Sequence, residues 1–198
     1  KFYRLINMFV IDYKDNNLFI NKLFKWMTIE GNTKYDDSVT QFEHSIQTAM
    51  LAKKYNAKPC LIAASLFHDI GHLILNENES KKDFLLYDLN HEEIGAKWLE
   101  KIFPINVTEP IKLHVCAKRF LCSVEKNYYE KLSFSSKKSL LLQGGLMSDN
   151  EQKIFINNKY YSDAIKIRKW DDNAKKDGII IDSINDFKKE IMSVMNNF

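Results

Sequence analysis

The chain has 198 residues, 45% of them hydrophobic and 28% charged, with a formal net charge of +3 at pH 7. These are the values of a globular protein with one core, so we predict a single domain spanning 1–198. The lysines are scattered rather than gathered into a stripe, which argues against a nucleic-acid binder. No apolar run approaches 18 residues and no cleavable signal is evident, so we expect a cytoplasmic protein without a membrane partner.

The cysteines argue against two further classes of protein. Cys60, Cys116 and Cys122 are odd in number and none forms a paired CxxC motif. A disulfide scaffold and a structural zinc site are therefore both disfavoured.

Apolar residues recur at helical spacing along most of the chain, and strand-like alternation is scarce, with 178–181 as the best candidate. We therefore predict an all-α fold. Ser38 and Asn90 are the expected N-caps of two of its helices. In chain order, the predicted helices are 17–29, 38–54, 59–71, 91–103, 108–120, 133–143, 162–175 and 183–196.

The histidines are confined to one part of the chain, and each lies in or at the end of a predicted helix. They are His44, His68, His72, His91 and His114. A lone histidine is more often structural than a metal ligand. These histidines, however, are distributed over four consecutive predicted helices. Helical bundles build dinuclear metal sites in this way, from inward-facing side chains of several helices.

Asp69 directly follows His68 at the end of a strongly apolar helix. A carboxylate is costly to bury in such surroundings unless it is paired or bound to a metal. A carboxylate also bridges two metal ions, which an imidazole does not do. The mixture of imidazole and carboxylate suits iron, manganese, cobalt or zinc.

The order of His44, then His68-Asp69, then a late Asp resembles the HD-domain superfamily of metal-dependent phosphohydrolases, and the two further histidines resemble its dinuclear branch. The flanking stretches resemble the mixed-valent di-iron HD-domain oxygenases that cleave carbon–phosphorus bonds in organophosphonates, distant kin of myo-inositol oxygenase. The stretches that carry this resemblance are 39–44, 67–72, 91–96, 113–122, 139–145 and 168–175.

This resemblance implies a single HD-domain helical bundle with a dinuclear metal site in its core. It covers about 35–175, the expected catalytic core, between an N-terminal helical extension at 1–30 and a C-terminal helix at 183–196. The implied cofactors are two iron ions, with dioxygen as co-substrate.

The implied ligands divide between the two irons. The first iron is expected at His44, His68, Asp69 and Asp171, and the second at Asp69, His91 and His114. For the late ligand, Asp163, Asp171 and Asp172 compete by position alone, and the family's Arg-x-Trp-Asp pattern selects Asp171.

The implied activity is O₂-dependent cleavage of the C–P bond of a 1-hydroxyphosphonate to phosphate and a carboxylic acid. The substrate would be a small anionic organophosphonate such as 2-amino-1-hydroxyethylphosphonate or its N-methylated analogue. Its predicted contacts are His72, Lys118, Ser136, Gln143 and Arg168, of which His72 and Lys118 lie four residues after His68 and His114.

The loop before His44 contains Tyr35 and Asp37, which the resemblance assigns to gating and specificity. The tyrosine would occupy the open iron position until substrate arrives, and the acid would receive a substrate ammonium group. We thus expect His72, Lys118 and Tyr35 to be the catalytic residues. Asp37 is shorter than the family's Glu, so the pocket should be wider at that end.

Two other functions remain open at this point. One is a dinuclear HD phosphohydrolase acting on a small phosphate ester or nucleotide, in which a metal-bound hydroxide attacks phosphorus. The other is a catalytically inactive HD module used for binding or regulation, which the complete ligand set disfavours. The oligomeric state stays open.

Overall fold

The computed structural model describes residues 15–34, 38–75 and 88–196. Within these ranges the all-α prediction is confirmed, because the sole β pairing among them is an isolated bridge between Lys34 and Thr40. The α-helices in chain order are α1 (Asn16–Glu30), α2 (Gln41–Lys54), α3 (Pro59–Phe67), α4 (Ile70–Leu75), α5 (His91–Leu99), α6 (Ile105–Val124), α7 (Tyr128–Lys131), α8 (Phe134–Leu142), α9 (Asp149–Asn157), α10 (Tyr161–Asn173) and α11 (Lys188–Met192).

Helix α2 begins at Gln41 rather than after Ser38, so the predicted N-cap was wrong. Thr40 accepts a hydrogen bond from the backbone N–H of Glu43 at 3.1 Å, and the Glu43 carboxylate accepts one from the N–H of Thr40 at 2.7 Å. This reciprocal capping box satisfies two helix donors at once, which Ser38 could not do from its position.

The helix predicted over 59–71 is interrupted. It ends at Phe67, and a turn at His68 and Asp69 separates it from α4. The turn brings the two side chains together, with His68 Nε2 lying 3.3 Å from Asp69 Oδ2. The break therefore serves to aim a pair of adjacent residues into the same space.

Of two further helix starts, that of α5 is as predicted and that of α6 is not. Asn90 does precede α5, but its side chain makes no cap hydrogen bond, and the residue adopts a left-handed backbone with φ of 49°, which Asn tolerates. Helix α6 begins at Ile105 with Pro104 as its N-cap, so Pro110 lies inside the helix instead of opening it.

Towards the C-terminus, α8 begins one residue after the predicted start at 133, with Ser133 as its N-cap, while α7 and α9 were not predicted. The predicted strand at 178–181 is not a strand. The predicted helix 183–196 is a 3₁₀-helix at Ile184–Phe187 followed by the short α11.

The core forms where α6 packs against α3, α5 and α10. Phe19 of α1, Phe67 of α3, Phe103 and Phe187 are fully buried in the same hydrophobic cluster. Both ends of the described chain thus pack on the helices that carry the histidines. None of the described helices combines the length and hydrophobicity needed to cross a membrane.

Candidate metal centre

Two groups of buried ligands meet in the core. His44, His68 and Asp69 offer ligand atoms within 4.8 Å of one another, and so do Asp69, His91 and His114. The residues come from α2, the turn after α3, the start of α5 and the middle of α6. Asp69 belongs to both groups, so the arrangement is that of two adjacent positions with a shared carboxylate.

Each oxygen of Asp69 faces one pair of histidines. Its Oδ2 lies 3.5 Å from His44 Nε2 and 3.3 Å from His68 Nε2. Its Oδ1 lies 3.3 Å from His91 Nε2 and 3.4 Å from His114 Nε2. This is the disposition required of a carboxylate that bridges two ions.

Hydrogen bonds on the outer side of the rings define which nitrogen is available. Three rings place Nδ1 against a backbone carbonyl oxygen: His44 on Ala174 at 2.9 Å, His68 on Ser65 at 2.9 Å and His114 on Ile111 at 2.7 Å. A carbonyl only accepts, so in these contacts Nδ1 carries a proton, and a neutral ring then presents its Nε2 lone pair to the centre. Outer contacts of this kind orient histidine ligands in metal sites.

The inner nitrogens lie in close pairs. His44 Nε2 and His68 Nε2 are 3.2 Å apart, and His91 Nε2 and His114 Nε2 are 3.3 Å apart. Two lone pairs at this separation repel unless a cation, either a proton or a metal ion, lies between them. Although burial opposes charge on the ring, Asp171 and Asp69 raise the pKa of His44 to about 9, so the centre attracts positive charge.

Two of the four buried carboxylate oxygens without a hydrogen-bond partner among the described residues belong to this centre, Asp69 Oδ2 and Asp171 Oδ1. An ionised oxygen buried in this way is costly unless a cation compensates it. Burial disfavours the charge of Asp171, but Arg168 and Lys175 hold its pKa well below its usual range. The donor set therefore fits two metal ions that accept imidazole and carboxylate ligands.

The structure separates the three candidates for the late ligand. Asp171 is buried, with Oδ1 3.3 Å from His44 Nε2. Asp172, the next residue, pairs with Arg168. Asp163 is exposed and pairs with Lys166 at 2.8 Å. Among these three, Asp171 alone lies beside the histidines, as the motif indicated.

A small cavity of about 50 Å³ opens beside the shared carboxylate. The five described residues predicted to contact substrate all line it: His72, Lys118, Ser136, Gln143 and Arg168. Tyr35 and Asp37 lie outside the described residues, so their gating role stays a prediction.

His72 reaches the cavity in a different way from that expected. Because the helix is broken at His68, the four-residue spacing does not place the two rings on one helical face. Instead the His72 ring stacks on His91, with ring centroids 3.8 Å apart, and its Nε2 lies 3.9 Å from Asp69 Oδ1.

Two cationic side chains line the cavity, those of Lys118 and Arg168, and a third, that of Lys175, contacts the lining residue Ser136. Lys118 is buried and donates to Ser139 Oγ at 2.8 Å. Arg168 is also buried, and Lys175 donates to Ser136 Oγ at 3.3 Å. With Asp69 and Asp171 bound to metal ions, cations in these positions would favour an anionic ligand.

Burial, together with the charge of Arg168, lowers the pKa of Lys118 to about 7. Lys175 and Ser139 were missed by the sequence reasoning. Their helical spacing would have indicated them, since Lys175 is four residues after Asp171 and Ser139 is three after Ser136.

Comparisons with known proteins agree with this geometry. The family model described as "HD domain" matches residues 41–140. The chain is 43% identical to hydroxymethylphosphonate dioxygenase of Gimesia maris over 178 residues, which are 90% of this chain and 89% of that protein.

Two further relatives are more distant. The chain is 36% identical over 147 residues to the 1-hydroxy-2-(trimethylamino)ethylphosphonate dioxygenase (glycine-betaine-forming) of Leisingera caerulea, covering 74% of each chain. It is 36% identical over 146 residues to an uncharacterised protein of Acanthamoeba polyphaga mimivirus, covering 73% of this chain and 67% of that protein. The chain therefore belongs to the HD-domain family, within the group of sequences that includes the phosphonate dioxygenases.

Proposed function

We propose that this protein is an O₂-dependent oxygenase that cleaves the C–P bond of a 1-hydroxyphosphonate, using two iron ions of mixed valence. The observation that carries the proposal is the carboxylate of Asp69, shared between two histidine pairs and bordering a cavity that two cationic side chains line. The two relatives named as phosphonate dioxygenases support the same activity.

The relatives favour a compact substrate. The 43% identical relative is named for hydroxymethylphosphonate, the smallest 1-hydroxyphosphonate, which has no amine. We therefore place hydroxymethylphosphonate ahead of the amino and trimethylammonium compounds as the substrate.

Each group on the cavity wall has a role in holding such a molecule. Lys118 and Arg168 would neutralise the phosphonate oxygens, and Ser136 and Gln143 would bind them by hydrogen bonds. Gln143 would donate to a phosphonate oxygen from Nε2, and its buried Oε1, which has no partner among the described residues, would accept from the substrate hydroxyl. His72, between Asp69 and the cavity, would contact the substrate on the metal side.

One iron would be held by His44, His68, Asp69 and Asp171, and the other by Asp69, His91 and His114. The bound pair would supply the oxidation of the substrate carbon by dioxygen. For hydroxymethylphosphonate the reaction consumes one O₂ and yields formate, phosphate and one proton. The C–P bond breaks, and carbon is oxidised as dioxygen is reduced. The protein contributes fixed positioning and charge neutralisation.

The proposal is tested by phosphate release from hydroxymethylphosphonate by the iron-loaded protein, with and without dioxygen. We expect release only with both iron and dioxygen present. A phenyl phosphate ester serves as the control substrate and should not be hydrolysed. Anaerobic hydrolysis of the ester by the manganese- or zinc-loaded protein, with no cleavage of the phosphonate, would identify a phosphohydrolase instead.

A pH prediction follows from Lys118. Its ammonium is charged below a pKa of about 7 and neutral above it, so its attraction for the phosphonate falls as pH rises through 7. We expect wild type to bind substrate more tightly than Lys118→Met at low pH, and the two KM values to converge above pH 7. Comparing the two proteins removes the effect of the substrate's own ionisation. A ratio of KM values that is constant with pH would contradict the assignment.

A further inference from the structure

The guanidinium of Arg168 is held by two consecutive carboxylates of its own helix. Its NH1 contacts Asp171 Oδ2 at 2.7 Å. Its Nε donates to Asp172 Oδ2 at 3.1 Å, and its NH2 donates to Asp172 Oδ1. The contact with Asp172 is bidentate, and such contacts determine the orientation of the guanidinium plane as well as its position.

A tyrosine from another helix holds Asp172 in turn. The hydroxyl of Tyr128, on α7, donates to Asp172 Oδ2. Burial raises the pKa of this phenol, so it remains a donor at neutral pH. The contact joins α7 to α10 and leaves the Asp172 carboxylate bound on both sides.

Neither Tyr128 nor Asp172 lines the cavity. Arg168 does, and its NH2 also lies 3.5 Å from the Oγ of Ser136, which lines the cavity as well. The hydrogen bonds of the two outer residues therefore reach a ligand in the cavity through Arg168.

The charges of this group indicate why Arg168 needs a second carboxylate. Lys118 and Lys175 lie nearby, so the region carries three cations, while Asp171 is turned towards His44. Without Asp172, Arg168 could pair with both oxygens of Asp171 and turn its NH2 end away from Ser136. With Asp172 in place, one edge of the guanidinium is occupied and the NH2 end stays beside Ser136.

We propose that Tyr128 and Asp172 are positioning residues that hold Arg168 in the orientation that binds the anionic group of the substrate. This inference rests on the proposed function for the identity of that group, a phosphonate. Two residues that do not line the cavity would thus contribute to substrate specificity.

The test compares Asp172→Asn and Tyr128→Phe with wild type as iron-loaded proteins. Two quantities are measured, the KM and kcat on hydroxymethylphosphonate and the Kd of inorganic phosphate, a probe that needs no turnover. For Asp172→Asn we expect KM and Kd to rise by about 10- to 100-fold, the value of a charge-assisted hydrogen bond. For Tyr128→Phe we expect about 3- to 10-fold, as for a neutral donor. Iron content and kcat should change little in either variant.

The double variant distinguishes positioning from general stability. Because Tyr128 acts through Asp172, adding Tyr128→Phe to Asp172→Asn should raise KM by less than about twofold, whereas independent effects would multiply. Asp172→Glu should recover part of the affinity. Asp163→Asn, an exposed carboxylate on the same helix, is the matched control and should behave as wild type.

Unchanged KM and phosphate Kd in both single variants would overturn the inference, and so would multiplicative effects or loss of iron with KM unaltered. If Asp172→Asn does not fold, Tyr128→Phe decides alone, since it removes one oxygen atom. Failure of the proposed function would be seen separately, as wild type that binds phosphate but releases none from the phosphonate.

Discussion

Replacing Asp69 by alanine will remove both metal ions and reduce activity by more than about 100-fold. Each oxygen of this carboxylate faces one histidine pair, so a single substitution takes a ligand from both positions. Removing a residue that only hydrogen-bonds to a metal ligand lowers metal affinity or activity by about 10- to 100-fold. Removing a ligand that both ions share should have a larger effect. Elemental analysis of the purified variant, together with phosphate release, measures the effect.

Two other substitutions sharpen this prediction. His91→Ala should retain the metal held by His44, His68 and Asp171, and lose the other. Asp163→Ala removes a carboxylate that is exposed and distant from the histidines, so it should retain both. Two metals per chain in Asp69→Ala would show that the shared-carboxylate arrangement is wrong.

Replacing Gly71 by alanine should lower the free energy of unfolding by about 3 kcal/mol and displace the metal ligand His91. An added Cβ at Gly71 would lie 1.9 Å from the backbone carbonyl oxygen of His91. Backbone atoms cannot turn away as a side chain does, so α5 has to shift, and overpacking of this kind costs about 1–3 kcal/mol or more. Denaturant unfolding of the metal-free protein measures the stability, and elemental analysis measures the metal.

Gly178→Ala is the matched control. Gly178 has a φ of 67° but no atom within 4 Å of the position of an added Cβ. Its replacement should cost about 1 kcal/mol through the backbone alone, with metal content unaltered. Equal destabilisation by both substitutions would show that the close approach of α4 and α5 is not responsible.

The cluster of buried histidines and carboxylates could be anticipated from the sequence, because such residues are unusual in and beside apolar helices. Asp69 after an apolar helix and five histidines within 44–114 are hard to explain otherwise. The motif also distinguished Asp171 from Asp163 and Asp172, which position alone did not. The roles of these residues as ligands, and the division into 1–30, 35–175 and 183–196, stay predictions.

Some helix ends and contacts could not be predicted from the spacing of residues in the sequence. Ser38 and Thr40 are both good caps, and the reciprocal bond of Glu43 decides between them. The apolar run through Phe67 gives no indication of the turn at His68. The contact of Tyr128 with Asp172 joins residues 44 apart, which spacing rules do not reach.

We propose above that dioxygen cleaves the C–P bond and supplies an oxygen atom to each product, and labelled dioxygen distinguishes this from an oxidation in which water supplies them. The iron-loaded protein is supplied with hydroxymethylphosphonate and ¹⁸O₂ in unlabelled water, and the products are analysed by mass spectrometry. We predict that dioxygen supplies one oxygen atom to phosphate and one to formate. Phosphate and formate without label, with their new oxygen atoms drawn from water, would contradict the account.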